Sequence, residues 1–594
     1  MKTSRKINDS WLTLFLFIAA LAVRLIYLED LQKNPLFDTI PESMDHYNFD
    51  QAAKNFAEGD WLARSVNNAF SPLYKYFLGC LYWISGSNYY FAYFIQFSLG
   101  AFSTVLVFKL TRLYFGIRAG FFSWLGITLF STHIVYEGIL LRAAFISFLG
   151  LWSCYLVSKI EKESSMLRLI VTTLVLSVFF QARPNTLLVL PVVCLYFHFK
   201  VWREESWTII IRKWAVFGGV LLGSFAPLLV QCYIVHGKFV LFDASGPHTF
   251  IAGNLSTYSG VGFDLHVIEE YRNQNVLGYV SNVKYLISHI AQNPVDFIFL
   301  YLRKLFFFFN NFESPTNISV YLYREFSPFL SSLWNHFSLF SALGLAGLTL
   351  AFREKKPAFL LYGYILTLSL AILIFLNESR YRIPVTPYFI IFFGYAADEI
   401  LKSLQKQNWH KTLIFLSVSG VLLFCFQEIP GLNKTRPDDF NNMAVAWIEK
   451  NQVEKADDYL TRGLTLFPDE AQTIFNKGQV HFIQEEWELA QQYFSRALNL
   501  KPGMTEAKTQ LEEVWFQRSK IEMQLNNFKK AANLLEKFLQ FNSDSIGARG
   551  NLGVCYANLG KDEKAREQFL KVLELEPKNG SAQTNLAILN RNFD

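Results

Sequence analysis

Asp45 is the residue whose setting most clearly suggests chemistry. Thr39-Ile40-Pro41 predicts a helix start, with Pro41 near the first helical position, and Gly59 predicts its close about five turns on. The apolar stripe of that helix runs Phe49, Ala52, Ala53 and Phe56, and Asp45 falls on it four residues before Phe49. An acid on the inward face of an apolar helix is too costly to be a solvating charge, and such groups default to functional candidates. A single positioned carboxylate offers general-base chemistry. Glu42 and His46 are one turn apart with Asp45 between them, a spacing that suits a divalent cation. An acid-rich helix N-terminus answering the helix dipole accounts for the same three residues.

A second group is cationic. Arg142 follows Glu137, Arg183 precedes Pro184-Asn185, and Arg380-Tyr381-Arg382 stands directly before Pro384. Arginine forks bind phosphate oxygens in bidentate fashion, so arginines converging with an acid suggest chemistry on a phosphorylated lipid. Snorkelling to headgroups explains any single arginine, Arg24 included, but does not explain Asp45 beside them.

The elements that must position these residues are membrane helices. Of 594 residues, 52% are apolar and 18% charged, and 59 are phenylalanine; that much aromatic surface argues against a purely cytosolic enzyme. A net charge of +6 is small for the length and suggests no nucleic-acid partner. The six cysteines are scattered without a CxxC pair, which indicates neither a disulfide framework nor a zinc site. Windows of about 20 apolar residues predict eleven spans: Trp11–Leu28, Tyr89–Leu110, Gly116–Val135, Ile139–Val157, Leu167–Phe180, Thr186–Phe199, Trp214–Val235, Leu333–Phe352, Phe359–Leu376, Pro387–Ile400 and Thr412–Phe426. A cleaved signal peptide is the alternative for the first span, which contains Ala20-Leu21-Ala22 but runs on through Leu28.

Lys and Arg recur in alternate connections, among them Lys109, Arg112 and Arg118, then Lys159, Lys162 and Arg168, then Arg353, Lys355 and Lys356. By the positive-inside rule these loops are cytoplasmic, which puts the N-terminus inside and the Asp45 loop outside. The expectation is an integral membrane protein, of a bacterial inner membrane, with its C-terminal region in the periplasm.

After Pro430-Gly431 the composition turns charged and rich in Ala and Leu. Ala456, Leu460, Gly463 and Pro468 recur 34 residues later as Ala490, Phe494, Ala497 and Pro502. Ala531, Leu535 and Phe538 recur at the same interval as Ala565, Phe569 and Val572, preceded by Leu552-Gly553 and Tyr556. This resembles the tetratricopeptide repeat, four copies with roughly seven extra residues between the second and third and a capping helix at Ser581–Asn590. Such arrays usually hold a protein or peptide partner, a dimerisation or stability module being the plainer reading. The fold class is therefore all-α: a polytopic helical bundle over residues 1–430, then an α-solenoid over 437–594.

The run Asp45-His46-Tyr47-Asn48-Phe49-Asp50-Gln51-Ala52, then Gly59-Asp60, then Ser71-Pro72-Leu73-Tyr74-Lys75, resembles the first external loop of GT-C integral-membrane glycosyltransferases. The nearest group is the protein O-mannosyltransferase and aminoarabinose-transferase superfamily. Tyr136-Glu137-Gly138, Leu141-Arg142-Ala143, Arg183-Pro184-Asn185, Gly253-Asn254, Asn293-Pro294 with Lys304 and Glu313, and Ser379-Arg380-Tyr381-Arg382-Ile383-Pro384 continue the likeness to residue 400. The resemblance implies a sugar donor on a polyprenyl phosphate, Asp45 as catalytic base, and an inverting transfer to a protein, glycan or lipid acceptor of the cell envelope. Members often carry a paired acidic dipeptide where this chain has Asp45-His46, which leaves Glu42 and Asp50 as substitutes. Glu137, Arg142, Arg183, Lys304, Glu313, Arg380, Tyr381 and Arg382 become expected substrate-binding residues. A phosphate leaving group needs little protonation, so one carboxylate suffices, as base to the acceptor, where glycoside hydrolysis takes two. A flippase of lipid-linked sugars and a non-catalytic envelope scaffold are the competing classes; inverted repeats, which a transporter would show, are not visible.

Overall fold

The computed structural model describes residues 9–62, 64, 72–237, 246–255, 257–262 and 279–591. All named elements among them are helices, and they form two compact units, Met1–Thr435 and Arg436–Asp594.

In the first unit each of the eleven apolar segments expected from sequence is helical. The early helices are α1 (Asp9–Leu31), α2 (Asp45–Ala57), α3 (Leu73–Ser85), α4 (Tyr89–Phe115), α5 (Ile117–Leu129), α6 (Ser131–Glu137), α7 (Arg142–Ser158), α8 (Met166–Ala182), α9 (Leu190–Tyr196) and α10 (Trp207–His236). Pro294–Phe309, Phe337–Arg353, Phe359–Ile374, Thr386–Gln405 and Trp409–Cys425 are the main later ones. A helix pairs each backbone N–H and C=O within its own segment, which is what an apolar surrounding requires.

Fewer helices meet the length and composition of a membrane crossing than there are apolar windows. Among the described residues four helices are long and apolar enough to cross a membrane: Asp9–Leu31, Tyr89–Phe115, Pro184–Val201 and Trp207–Val235. A fifth is added if α6 and α7, bent by 110° at their junction, count as one broken span. Five further apolar helices have 10 to 17 residues. The windows overran because hydropathy does not register breaks. Gly116–Val135 runs from α5 into α6 across Phe130, where the chain leaves the helix and Ser131 N–H donates to Trp334 O at 2.8 Å.

Close helix contact depends on small residues, as usual in apolar bundles. Thr386–Gln405 is buried along most of its length and packs on α5 and on Phe337–Arg353. A Cβ on Gly347 would meet Phe392 O at 2.2 Å, and one on Gly344 would meet Phe389 O at 2.7 Å.

The second unit is four helix pairs and a cap: Pro437–Glu449 with Val453–Leu466, Ala471–Ile483 with Trp487–Leu500, Thr505–Gln524 with Phe528–Phe541, Ile546–Asn558 with Asp562–Leu575, and then Gly580–Arg591. Each pair turns on one residue in the left-handed region, Asn451, Glu485, Asn526 and Gly560, with φ of 56°, 59°, 58° and 69°. The extra residues do not lie between repeats. They lengthen the first helix of the third pair, which has 20 residues where the first helices of the other pairs have 13. Seven residues make nearly two whole turns, so the insertion returns the buried face to almost the same direction.

Candidate functional site

Helix α2 begins at Asp45, four residues later than Pro41 led one to expect. Pro41 to Met44 form a turn instead, closed by Met44 N–H donating to Pro41 O at 3.1 Å, and Met44 is the N-terminal cap. Asp45 is thus the first residue of the helix, where the dipole favours an anion.

Its carboxylate meets residues distant in sequence. Oδ2 accepts from Arg380 Nη1 at 2.6 Å and from Asn317 Nδ2 at 2.8 Å. The same guanidinium donates from Nε to Glu378 Oε2 at 2.6 Å and from Nη2 to the Tyr381 hydroxyl at 3.2 Å. The Arg183 guanidinium lies 3.8 Å from the Tyr381 ring centroid and that of Arg380 lies 4.9 Å from it. Asp45, Arg142, Arg183, Arg380 and Tyr381 line one small cavity with Phe49, Leu141, Ala143 and Ile146. Its volume is about 30 Å³, room for a single water.

Three devices aim these side chains. The bend between α6 and α7 makes Arg142 the first residue of α7, beside Leu141. Arg183 ends α8 in an extended conformation just before Pro184. The chain leading to Arg380 is braced where Phe359–Ile374 ends: Lys304 Nζ donates to Leu373 O at 2.8 Å and Phe375 O at 2.9 Å, and Asn254 Nδ2 to Ile374 O at 2.7 Å. Gly253 belongs to the same brace, since a Cβ there would fall 2.2 Å from Phe375 O. Burial pulls the Lys304 ammonium down to about 7.

The other expected site residues lie elsewhere. Asp50, 1% exposed, accepts from the hydroxyls of Tyr82 and Tyr89 at 2.6 and 3.0 Å and pairs with Lys54 at 2.7 Å, so its oxygens are occupied as a structural anchor. Glu42 is exposed and accepts from the Tyr47 hydroxyl. Arg382 donates to Asn310 O at 2.7 Å, Phe312 O at 2.9 Å and Glu313 Oε2 at 2.8 Å, tying the 308–313 segment rather than lining the cavity. Glu137 forms a bidentate pair with Arg24, at 2.7 and 2.9 Å, and accepts from His133 Nδ1 at 2.9 Å. Arg24 is wholly buried, which corrects its reading as a snorkelling residue: a partner 113 positions away holds it inside.

Glu42, Asp45 and His46 do not fit a shared cation. The His46 ring is 1% exposed with both nitrogens unpartnered, and burial, reinforced by the positive charge of Arg380 against the opposing pull of Asp45, brings it down to about 4. Among the described residues no group of three or more His, Cys, Asp or Glu is placed to hold a metal. Sequence reasoning missed Asn317 and Glu378, which no motif marks; only the neighbourhood of Arg380 in the chain pointed toward Glu378.

Residues 522–588 match the tetratricopeptide repeat family. No curated protein sequence matches the chain. Among solved structures the chain is similar to YrrB, described as a TPR protein with an unusual peptide-binding site, at 24% identity over 27% of this chain and 79% of that one, TM-score 0.22. It is also similar to residues 41 to the end of MamA from Desulfovibrio magneticus RS-1, at 19% identity over 27% and 85%, TM-score 0.21. A third is the first TPR of Spaghetti (RPAP3) bound to an HSP90 peptide, at 22% identity over 21% and 92%, TM-score 0.17. The C-terminal unit is a tetratricopeptide repeat domain by its family match and its paired helices.

Proposed function

We propose that the chain is a membrane glycosyltransferase of GT-C type that moves a sugar from a polyprenyl-phosphate donor to an envelope acceptor, with Asp45 as base. The observation that carries this reading is the meeting of Asp45 with Arg142, Arg183, Arg380 and Tyr381 around one cavity, from four separate stretches of sequence. A carboxylate next to a cluster of guanidiniums supplies the two things such a transfer needs. One is a proton acceptor for the incoming hydroxyl or amine; the other is fixed positive charge for the phosphate that leaves.

In the resting arrangement Arg380 holds Asp45 directly. An arriving phosphate competes for that guanidinium, so donor binding draws Arg380 off the carboxylate and frees Asp45 for the acceptor proton. Glu378 stays on the Nε edge of Arg380 and keeps the fork oriented. The sugar then passes in one displacement, with inversion at its anomeric carbon. Opening the cavity is part of the cycle, because about 30 Å³ holds no sugar phosphate. The repeats, in this reading, present the periplasmic acceptor or a protein partner.

The test is transfer from a short-chain polyprenyl-phosphate sugar by the purified protein. Asp45→Asn keeps an acceptor for the hydrogen bond from Asn317 but removes the proton acceptor, so turnover falls by about two to four orders of magnitude while donor binding survives. Arg380→Lys keeps the charge and loses the fork, lowering both turnover and donor affinity. Near-normal turnover in Asp45→Asn would sink the mechanism.

A further inference from the structure

A second cavity lies at the other end of the bundle. It has a volume of about 800 Å³ and is walled by α1, α4 and the end of α7. Helix α7 runs from Arg142 at the first cavity to Ser158, and Lys159, the next residue, lines the second; 17 residues of helix separate the two by about 25 Å.

The walls are graded. At one end stand Lys109, Arg112, Lys159, Tyr155 and Asp9; toward the other lie Leu14, Phe17, Phe102 and Val105. Phe17 and Phe102 close the apolar end, their ring centroids 4.5 Å apart. On α4 the lining residues Phe102, Val105, Lys109 and Arg112 follow one another at three or four positions, a single helix face. From Phe102 to Arg112 the helix rises about 15 Å, the depth of one leaflet's hydrocarbon.

Among the described residues the charges of this cavity are not balanced. Asp9 is taken by Arg112 in a two-point pair at 2.9 and 3.2 Å. Lys109 and Lys159 form no ion pair among the described residues, and Lys109 lies over the Tyr155 ring at 5.9 Å. Two ammonium groups therefore stand at the mouth of a slot whose floor is aromatic and aliphatic. This pattern matches one amphiphile: an anionic head on the lysines and a hydrocarbon chain along Leu14, Phe17 and Phe102.

We infer that this cavity binds an anionic glycerophospholipid, its phosphate between Lys109 and Lys159 and one acyl chain in the slot. The depth fits an acyl chain and is too shallow for the far longer chain of a polyprenyl phosphate. A lysine rather than arginine pair suits a phosphodiester held as a point charge without orientation. The site is independent of transfer chemistry at Asp45 and acts as a wedge that joins α1 to α4 and α7.

Native mass spectrometry of the full chain in mild detergent, titrated separately with phosphatidylglycerol, phosphatidylcholine and a short polyprenyl phosphate, tests it. The wild type retains one phosphatidylglycerol in preference to phosphatidylcholine. Lys109→Gln with Lys159→Gln weakens phosphatidylglycerol retention about thirtyfold, the combined worth of two basic residues against an anionic lipid. The exposed pair Arg353→Gln with Lys355→Gln leaves retention unchanged. Thr13→Trp, which fills the slot and spares both lysines, also abolishes retention, so a folding defect in the lysine variant does not leave the question open. Equal retention of the two phospholipids, unaltered retention in the lysine variant, or displacement of phosphatidylglycerol by equimolar polyprenyl phosphate overturns the assignment.

Discussion

Among single residues, the division between Asp45 and Arg24 separates what sequence can tell from what it cannot. Asp45 was legible because a carboxylate on an apolar stripe violates a local rule, and local rules can be read from spacing. Arg24 was misread as an anchor at the membrane surface because its partner, Glu137, is 113 residues away and no local pattern joins them. Both side chains are fully buried, so Arg24→Ala leaves the Glu137 carboxylate inside with His133 as its remaining ion-pair partner and costs about 3–5 kcal/mol. The expected result is loss of folded protein in size-exclusion chromatography, not a mild effect on transfer; a monodisperse, active Arg24→Ala would contradict the pairing. His46 carries a pH signature of its own. Its folded value of about 4 lies below the 6.5 of an exposed imidazole, so the unfolded chain binds the proton first. The resulting stability is complete above pH 6.5 and is lost as pH falls from there toward 4, by up to about 3 kcal/mol. Thermal midpoints of the wild type should drop through that window, whereas His46→Leu should show a flatter profile; parallel profiles would mean that other groups set the acid limb.

At the scale of elements, each hydropathy window falls on helical chain, but the windows miss the apolar helices Leu73–Ser85 and Pro294–Phe309 and misjudge where several others stop. The gaps that matter for the site, between α6 and α7 and at Arg183 after α8, fall close to where the apolar windows stop and restart, whereas the break at Phe130, inside a single window, was passed over. Those gaps are what put Arg142 and Arg183 beside Asp45. The repeats were more legible because their interlock is a repeated small-against-large contact. A Cβ on Gly553 would lie 2.6 Å from Phe569 Cε1, and one on Gly478 the same distance from Phe494 Cε1. Gly550, on the same helix as Gly553, has no neighbour within 4 Å of the place its Cβ would take. Two substitutions in one helix should therefore act in opposite directions. Gly553→Ala forces Phe569 aside at a cost of about 1–3 kcal/mol, while Gly550→Ala gains up to about 1 kcal/mol from helix propensity. The thermal transition of the repeat unit, followed by proteolysis on heating, should fall for the first and rise for the second; two shifts of the same sign would mean that the tight contact yields freely.

For the whole molecule, the question is what a bundle with one small charged cavity gains from a solenoid of four helix pairs. All the residues that line the Asp45 cavity belong to the first compact unit, which ends at Thr435. The second unit keeps its own core, built from Ala490, Phe494, Ala531, Leu535, Ala565 and Phe569 among others. The Asp45 cavity and the repeat packing thus draw on separate sets of residues. A solenoid is suited to choosing among extended partners, since its concave face grows with each repeat. If the repeats select the acceptor, a chain ending at Thr435 should retain most transfer to a small soluble acceptor and lose most modification of the native one. The two acceptors are to be compared on the same preparation, after circular dichroism and chromatography establish that the truncated bundle is folded. Loss of both activities in a folded bundle would mean that the repeats complete the reaction site, and retention of both would leave them a role in assembly alone.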